Sequence, residues 1–142
     1  MYPSHDKDFY AWTQATVGLL KSKKFDALDL DNLIEEIDDM GKSEKRSMVS
    51  RIAQLIGHLL KWQYQSGLRS NSWKYTIKEQ RDQLSDILED NPSFKPLIAD
   101  FLEKGYKHAI NIFKSDTNLE MDLPSKCPYT FTQLMDEAFY PE

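Results

Sequence analysis

Met48-Val-Ser-Arg-Ile-Ala-Gln-Leu-Ile-Gly-His-Leu-Leu-Lys-Trp-Gln63 is the stretch that decides the fold. At about 100° per residue from Ile52, the residues Met48, Leu55, Ile56, Leu59 and Gln63 all fall within about 60° of it. That spacing predicts a helix from about Ser43 to Ser66, with Gly67 at its end. Leu68-Arg-Ser-Asn71 then reads as a tight turn into a second helix over about 72–89, built on Trp73, Ile77, Leu84, Ile87 and Leu88. So short a connection makes the two helices antiparallel neighbours.

Upstream, Phe9, Trp12, Ala15, Thr16, Leu19 and Leu20 predict a helix from about Asp8 to Lys23. A shorter one follows, capped by Asp29, carrying Leu30, Leu33, Ile34 and Ile37, and stopping at Gly41 as its C′ residue. Downstream, Asp90-Asn-Pro-Ser93 breaks the chain. Ser93 is placed as an N-cap, with Pro96 in the first turn of a helix that runs to about Lys114. Thr130-Phe-Thr-Gln133 has the form of a capping box, with Tyr129 and Leu134 as its hydrophobic staple, so a short helix is expected before Pro141. The expectation is an all-α, single-domain bundle over residues 1–142, with four to five main helices and a short C-terminal helix.

With 142 residues and 40% hydrophobic content, one core is feasible without staples. The single cysteine, Cys127, excludes an internal disulfide and a Cys-rich zinc site. No apolar run approaches the roughly 18 residues of a membrane span, and the opening residues do not form a signal peptide. The formal charge of −5 hides a division: residues 1–41 carry −5, residues 42–81 carry +7 and residues 82–142 carry −7. Internal pairing of the basic middle with its acidic flanks is the ordinary expectation for such a pattern.

Motifs for catalysis are missing. A carboxylate-bridged metal site in a bundle uses Glu-x-x-His on facing helices, and neither His58 nor His108 has an acidic residue three or four positions away. Cys127 has no histidine near it in sequence, and the glycines at 18, 41, 57, 67 and 105 form no phosphate loop. No catalytic residue, metal ligand or cofactor is therefore expected.

Residues 58–81 hold the candidate sites. Gln63 and Gln80 fall on the apolar faces of their helices, where an amide without a partner costs roughly 1–3 kcal/mol. They are expected either to fix the register of the bundle or, with His58 and Arg81, to line an interior polar site. Lys61, Tyr64, Lys74, Tyr75 and Lys78 place cations and rings on the opposite faces, an arrangement suited to single-stranded nucleic acid or to an acidic protein. Trp62, Arg69 and Trp73 are the candidate interface anchors, because aromatic and Arg side chains dominate interface energetics.

Taken together, Asp8-Phe-Tyr-Ala-Trp-Thr13, Leu28-Asp-Leu-Asp-Asn-Leu-Ile-Glu-Glu-Ile37 with Gly41, and His58-Leu-Leu-Lys-Trp-Gln-Tyr-Gln65 resemble a bacterial family, rich in cyanobacterial members, catalogued as domain of unknown function twenty-nine. Arg69-Ser-Asn-Ser-Trp73, Thr76-Ile-Lys-Glu-Gln-Arg81, Asn91-Pro-Ser93 and Cys127-Pro-Tyr-Thr130 with Pro141 extend the resemblance in order along essentially the whole chain. The resemblance implies a bacterial, cytoplasmic, all-helical protein and implies no activity. The function expected is a non-enzymatic protein-interaction or regulatory module, with a protein partner or a second copy. The alternatives are nucleic-acid binding through the basic hairpin, and a small-ligand or metal enzyme using the interior polar set. No membrane association is expected.

Overall fold

The computed structural model describes residues 2–142, and among them every regular element is a helix. The α-helices are α1 (Phe9–Lys21), α2 (Leu30–Tyr64), α3 (Asn71–Asp90), α4 (Ile98–Thr117) and α5 (Phe131–Met135). Single 3₁₀ stretches at Phe25–Ala27, Ser66–Leu68 and Pro92–Leu97 join them. Four main helices and one short one fit the all-α expectation.

The helix starts follow the sequence signals. Asp8 accepts from the Ala11 amide at 3.1 Å, Asp29 from the Asn32 amide at 3.3 Å, and Ser70 from the Trp73 amide at 3.3 Å. The expected capping box is present in both directions: the Gln133 amide donates to Thr130 Oγ1 at 3.1 Å, and the Thr130 amide donates to Gln133 Oε1 at 2.9 Å. Each such cap satisfies amides that the helix itself cannot.

Gly41 does not stop a helix. α2 runs through it as 35 residues, replacing the two expected helices by one. The glycine has no positive φ to break the ladder, and an interior Gly costs only about 1 kcal/mol relative to Ala. An i, i+4 pair, Lys42 to Asp38 at 2.7 Å, supports the turn around it. Ser93 likewise opens no α-helix: Pro92–Leu97 is 3₁₀, and α4 begins at Ile98.

The chain divides into two compact units, one ending at Ser43 and one over Glu44–Glu142. In the first, Trp12 and Thr16 of α1 are buried, and the His5 ring stands edge-on to Trp12 at 4.8 Å between centroids. His5 Nε2 is 2.7 Å from Glu36 and Nδ1 is 2.9 Å from Asp6. These two carboxylates, Asp6 foremost, raise its pKa above the ordinary histidine value.

The second unit contains a continuous apolar core. Met48, Ile52, Leu55, Ile56, Leu59 and Leu60 of α2 meet Ile77 and Leu84 of α3, Phe101, Ala109 and Phe113 of α4, and Leu134 of α5. α2 and α4 pack closely because glycines sit where they meet. A Cβ on Gly105 would lie 2.6 Å from Ile52 Cγ2, and one on Gly57 would lie 3.2 Å from Ile112 Cγ2.

Candidate functional site

The basic hairpin is assembled from the end of α2 and the start of α3, and most of its polar groups have partners inside the unit. Lys61 is buried, with its ammonium 2.9 Å from Asp116 Oδ2 and 5.6 Å from the centre of the Trp73 ring. Trp62 is buried too: Arg69 and Lys74 lie over its ring at 4.9 and 5.7 Å, and Tyr140 packs on it at 4.9 Å. Arg69 Nε donates to the Trp62 carbonyl at 2.8 Å, and its Nη2 donates to the Pro141 carbonyl at 3.4 Å. Tyr64 meets Phe113 edge-on, and Lys78 pairs with Asp82 at 2.9 Å on the surface. Trp73 is half-buried against the core, while Tyr75 is exposed. Lys61 thus finds its partner in the acidic last segment of the chain, as charge balance favours.

The four interior polar residues have separate partners. Gln63 Oε1 accepts from the Tyr129 hydroxyl at 2.6 Å, and Gln80 Oε1 accepts from Arg51 Nη1 at 3.3 Å. Arg81 donates from Nε to the Leu134 carbonyl at 2.6 Å and from Nη2 to the Phe139 carbonyl at 2.7 Å, with its guanidinium over the Tyr140 ring. Together Gln63, Arg69 and Arg81 hold residues 129–141 against α2 and α3. The Tyr129 hydroxyl is kept neutral well above the usual tyrosine range, chiefly by burial. Burial also pushes the Cys127 thiol up, away from the thiolate a nucleophile would need. Among the described residues no group of three or more His, Cys, Asp or Glu could hold a metal ion, and no helix is long and apolar enough to cross a membrane.

His58 is half-buried and hydrogen-bonds the Gln54 carbonyl through Nδ1 at 2.9 Å. Burial is the main cause that lowers its pKa and the Lys61 charge adds to it, while the bond to the Gln54 carbonyl, and more weakly Asp116, oppose it. The unfolded chain then binds the proton more tightly than the folded one, so this group's stability contribution is complete above about pH 6.5 and is lost as pH falls through the depressed folded value. His5, with its raised pKa, works in the opposite sense over the same range, so the expected signature is a difference: between pH 7 and 5 the urea midpoint of the wild type should decline relative to that of His58→Gln. An equally steep decline in the variant would refute the assignment.

A well-formed concavity lies elsewhere. A groove of about 680 Å³ runs between α2 and α4 in the second unit. Val49, Ala53, Leu97, Phe101 and Ile112 make its floor, and Lys45, Arg46, Lys104 and His108 supply a basic rim. One acid, Asp100, lines it, and Lys104 Nζ sits 3.1 Å from that carboxylate. At about 1.5 Å rise per residue, the lining from Leu97 to Ile112 extends roughly 22 Å along α4. None of the hairpin or interior candidates lines this groove. A signal for it exists in the sequence: Leu97, Phe101, Lys104, His108, Asn111 and Ile112 share one helical face, so polar residues interrupt an apolar stripe.

A family described as "Domain of unknown function DUF29" matches residues 4–140. The chain belongs to this family. No curated protein and no solved structure matches it. Family membership covers nearly the whole chain, both compact units included, and assigns no chemistry to either.

Proposed function

We propose that this DUF29 member is a non-enzymatic protein-interaction module whose α2/α4 groove receives an acidic amphipathic helix of a partner protein. The observation that carries the reading is the groove's makeup: an apolar floor under a rim of Lys45, Arg46 and Lys104 with Asp100 as the one carboxylate. Its extent along α4 suits an elongated occupant with anchors at i, i+4 and i+7 better than a compact metabolite. The cations favour acidic flanks on that occupant and disfavour basic ones. Among the hairpin cations, Lys61 is buried against Asp116, while Lys78 is paired on the surface with Asp82 much as Lys104 is with Asp100.

The test is fluorescence anisotropy with a labelled, helix-stabilised peptide of four turns, Leu on one face and Glu on the others, against its Lys-for-Glu counterpart. The acidic peptide should bind at least tenfold more tightly. Lys45→Glu/Lys104→Glu should weaken it about tenfold or more, since rim charges contribute up to about 1 kcal/mol each and 1.4 kcal/mol is a factor of ten. Equal binding of the two peptides would overturn the reading, as would stronger competition by laurate or single-stranded DNA.

A further inference from the structure

Ahead of α1 the chain doubles back along that helix. The Asp8 amide donates to the Ser4 carbonyl at 3.0 Å, closing a turn, and the Tyr2 hydroxyl hydrogen-bonds Thr16, about two turns into α1. The His5 ring stands edge-on to both Phe9 and Trp12, with centroids 5.4 and 4.8 Å away. It also crosses to α2, where Nε2 lies 2.7 Å from Glu36 Oε1, while Nδ1 lies 2.9 Å from Asp6 Oδ1. One imidazole therefore ties residues 2–8 to both helices of the first unit. Trp12 and Thr16, which His5 and Tyr2 touch, are the buried residues of α1. The geometry asks for a charged ring. A carboxylate only accepts, so two carboxylates on two ring nitrogens need an N–H on both, which imidazolium has and neutral imidazole lacks. Deprotonation leaves one nitrogen's lone pair facing an anionic oxygen and removes the attraction of opposite charges from the other bond.

We infer that His5 is a protonation-controlled latch: the imidazolium closes residues 2–8 over α1 and onto α2, and loss of its proton frees the segment and uncovers Trp12 and Thr16. The charged groups facing the ring are Asp6 from its own segment and Glu36 from α2, while α1 presents the uncharged Phe9 and Trp12. Asp6 travels with the ring, so Glu36 is the carboxylate that the ring loses when the segment lifts. The Trp12 indole Nε1 is buried with no hydrogen-bond partner among the described residues, a cost that water relieves on lifting. The latch thus works against one buried donor, and opening needs no more than the loss of a few bonds. Bonds to Asp6 and then to Glu36 raise the His5 pKa. Closure is therefore fully favoured below about pH 6.5 and is lost as pH rises through the raised closed-state value. One linked proton changes the closing equilibrium by at most about tenfold per pH unit.

Fluorine NMR of the full chain labelled with 5-fluorotryptophan tests this, with Trp12→Phe assigning the Trp12 signal. The readout is the solvent isotope shift between light and heavy water, which reports water access, followed from pH 5 to 9. Access to Trp12 should rise with pH, while Trp62 and Trp73 of the second unit serve as internal references. His5→Gln should abolish the pH dependence. Glu36→Gln, which keeps an acceptor but no charge, should flatten it, whereas Asp6→Asn should keep the transition and lower its midpoint. Circular dichroism should show the helices retained in all three variants. A Trp12 signal independent of pH in the wild type would overturn the inference, as would one that becomes accessible on acidification. So would a transition left unchanged by Glu36→Gln, because the segment would then be released by some group other than this pair.

Discussion

Arg81→Met should destabilise the Glu44–Glu142 unit by roughly 3–5 kcal/mol. Arg81 is 3% exposed and donates to two backbone carbonyls, Leu134 O and Phe139 O. Hydrogen bonds from a charged donor contribute about 1.5–3 kcal/mol each, and a buried acceptor left without a donor costs about 1–3 kcal/mol. Methionine preserves much of the aliphatic volume, so the loss measures the guanidinium and not a cavity. Arg81→Lys should recover less than half, because an ammonium lacks the planar fork that reaches two carbonyls at once. Loss of the tether also predicts a local effect. Hydrogen exchange at residues 131–140 should accelerate before that of α2, since Arg81 is the group that binds both Leu134 and Phe139. A urea midpoint corresponding to less than about 1 kcal/mol of change would refute this account of how the last segment is held.

That tether shows where the sequence was readable and where it was not. Helix starts depend on a few adjacent residues, so Asp8, Asp29 and the Thr130/Gln133 box could be read directly and all make their hydrogen bonds. The second half of α2 was equally legible, because one packed face from Met48 to Leu59 fixes its own period, whereas its continuation back through Gly41 to Leu30 was not. Partners distant in sequence were not. The wheel placed Gln63 and Gln80 toward the interior, but nothing local says that Gln63 meets Tyr129, 66 positions away, or that Gln80 meets Arg51. Trp62 lies well off the core axis of its helix, yet it is buried because Arg69, Lys74 and Tyr140 close over it. At Leu30, Ile34 and Ile37 the converse happened: periodicity reports a face that needs covering, and all three side chains are exposed. The groove is not legible locally because its lining comes from segments some 50 residues apart: Val49 and Ala53 of α2 supply part of the floor, and Leu97 with Phe101 and Ile112 of α4 supply the rest.

Gly105→Ala should cost about 1–2 kcal/mol, against the direction of helix propensity. Alanine in a helix interior is favoured over glycine by about 1 kcal/mol, so space must decide the sign. A Cβ at Gly105 would lie 2.6 Å from Ile52 Cγ2, 3.1 Å from Ile52 Cβ and 3.4 Å from the Val49 carbonyl oxygen. Ile52 is fully buried, and a β-branched side chain in a helix has essentially one χ1 rotamer, so its methyl cannot swing aside. Relief must come from separating α2 and α4, and overpacking of this kind costs typically 1–3 kcal/mol. Gly105→Leu should exceed that range or prevent folding. The clash belongs to the Cγ2 branch, which fixes the pattern of rescue. Ile52→Leu, which lacks that branch, should recover stability in the Gly105→Ala background, whereas Ile52→Val, which keeps it, should not. Two other glycines calibrate the measurement. Gly57→Ala meets Ile112 Cγ2 at 3.2 Å, but Ile112 is half-buried at the groove and can yield, so a change within about 0.5 kcal/mol is expected. Gly41→Ala meets nothing within 4 Å and should stabilise α2 by about 0.5–1 kcal/mol. Chemical unfolding of the three alanine variants should rank them in that order, and a Gly105→Ala protein as stable as Gly41→Ala would show that α2 and α4 do not depend on close approach at that crossing.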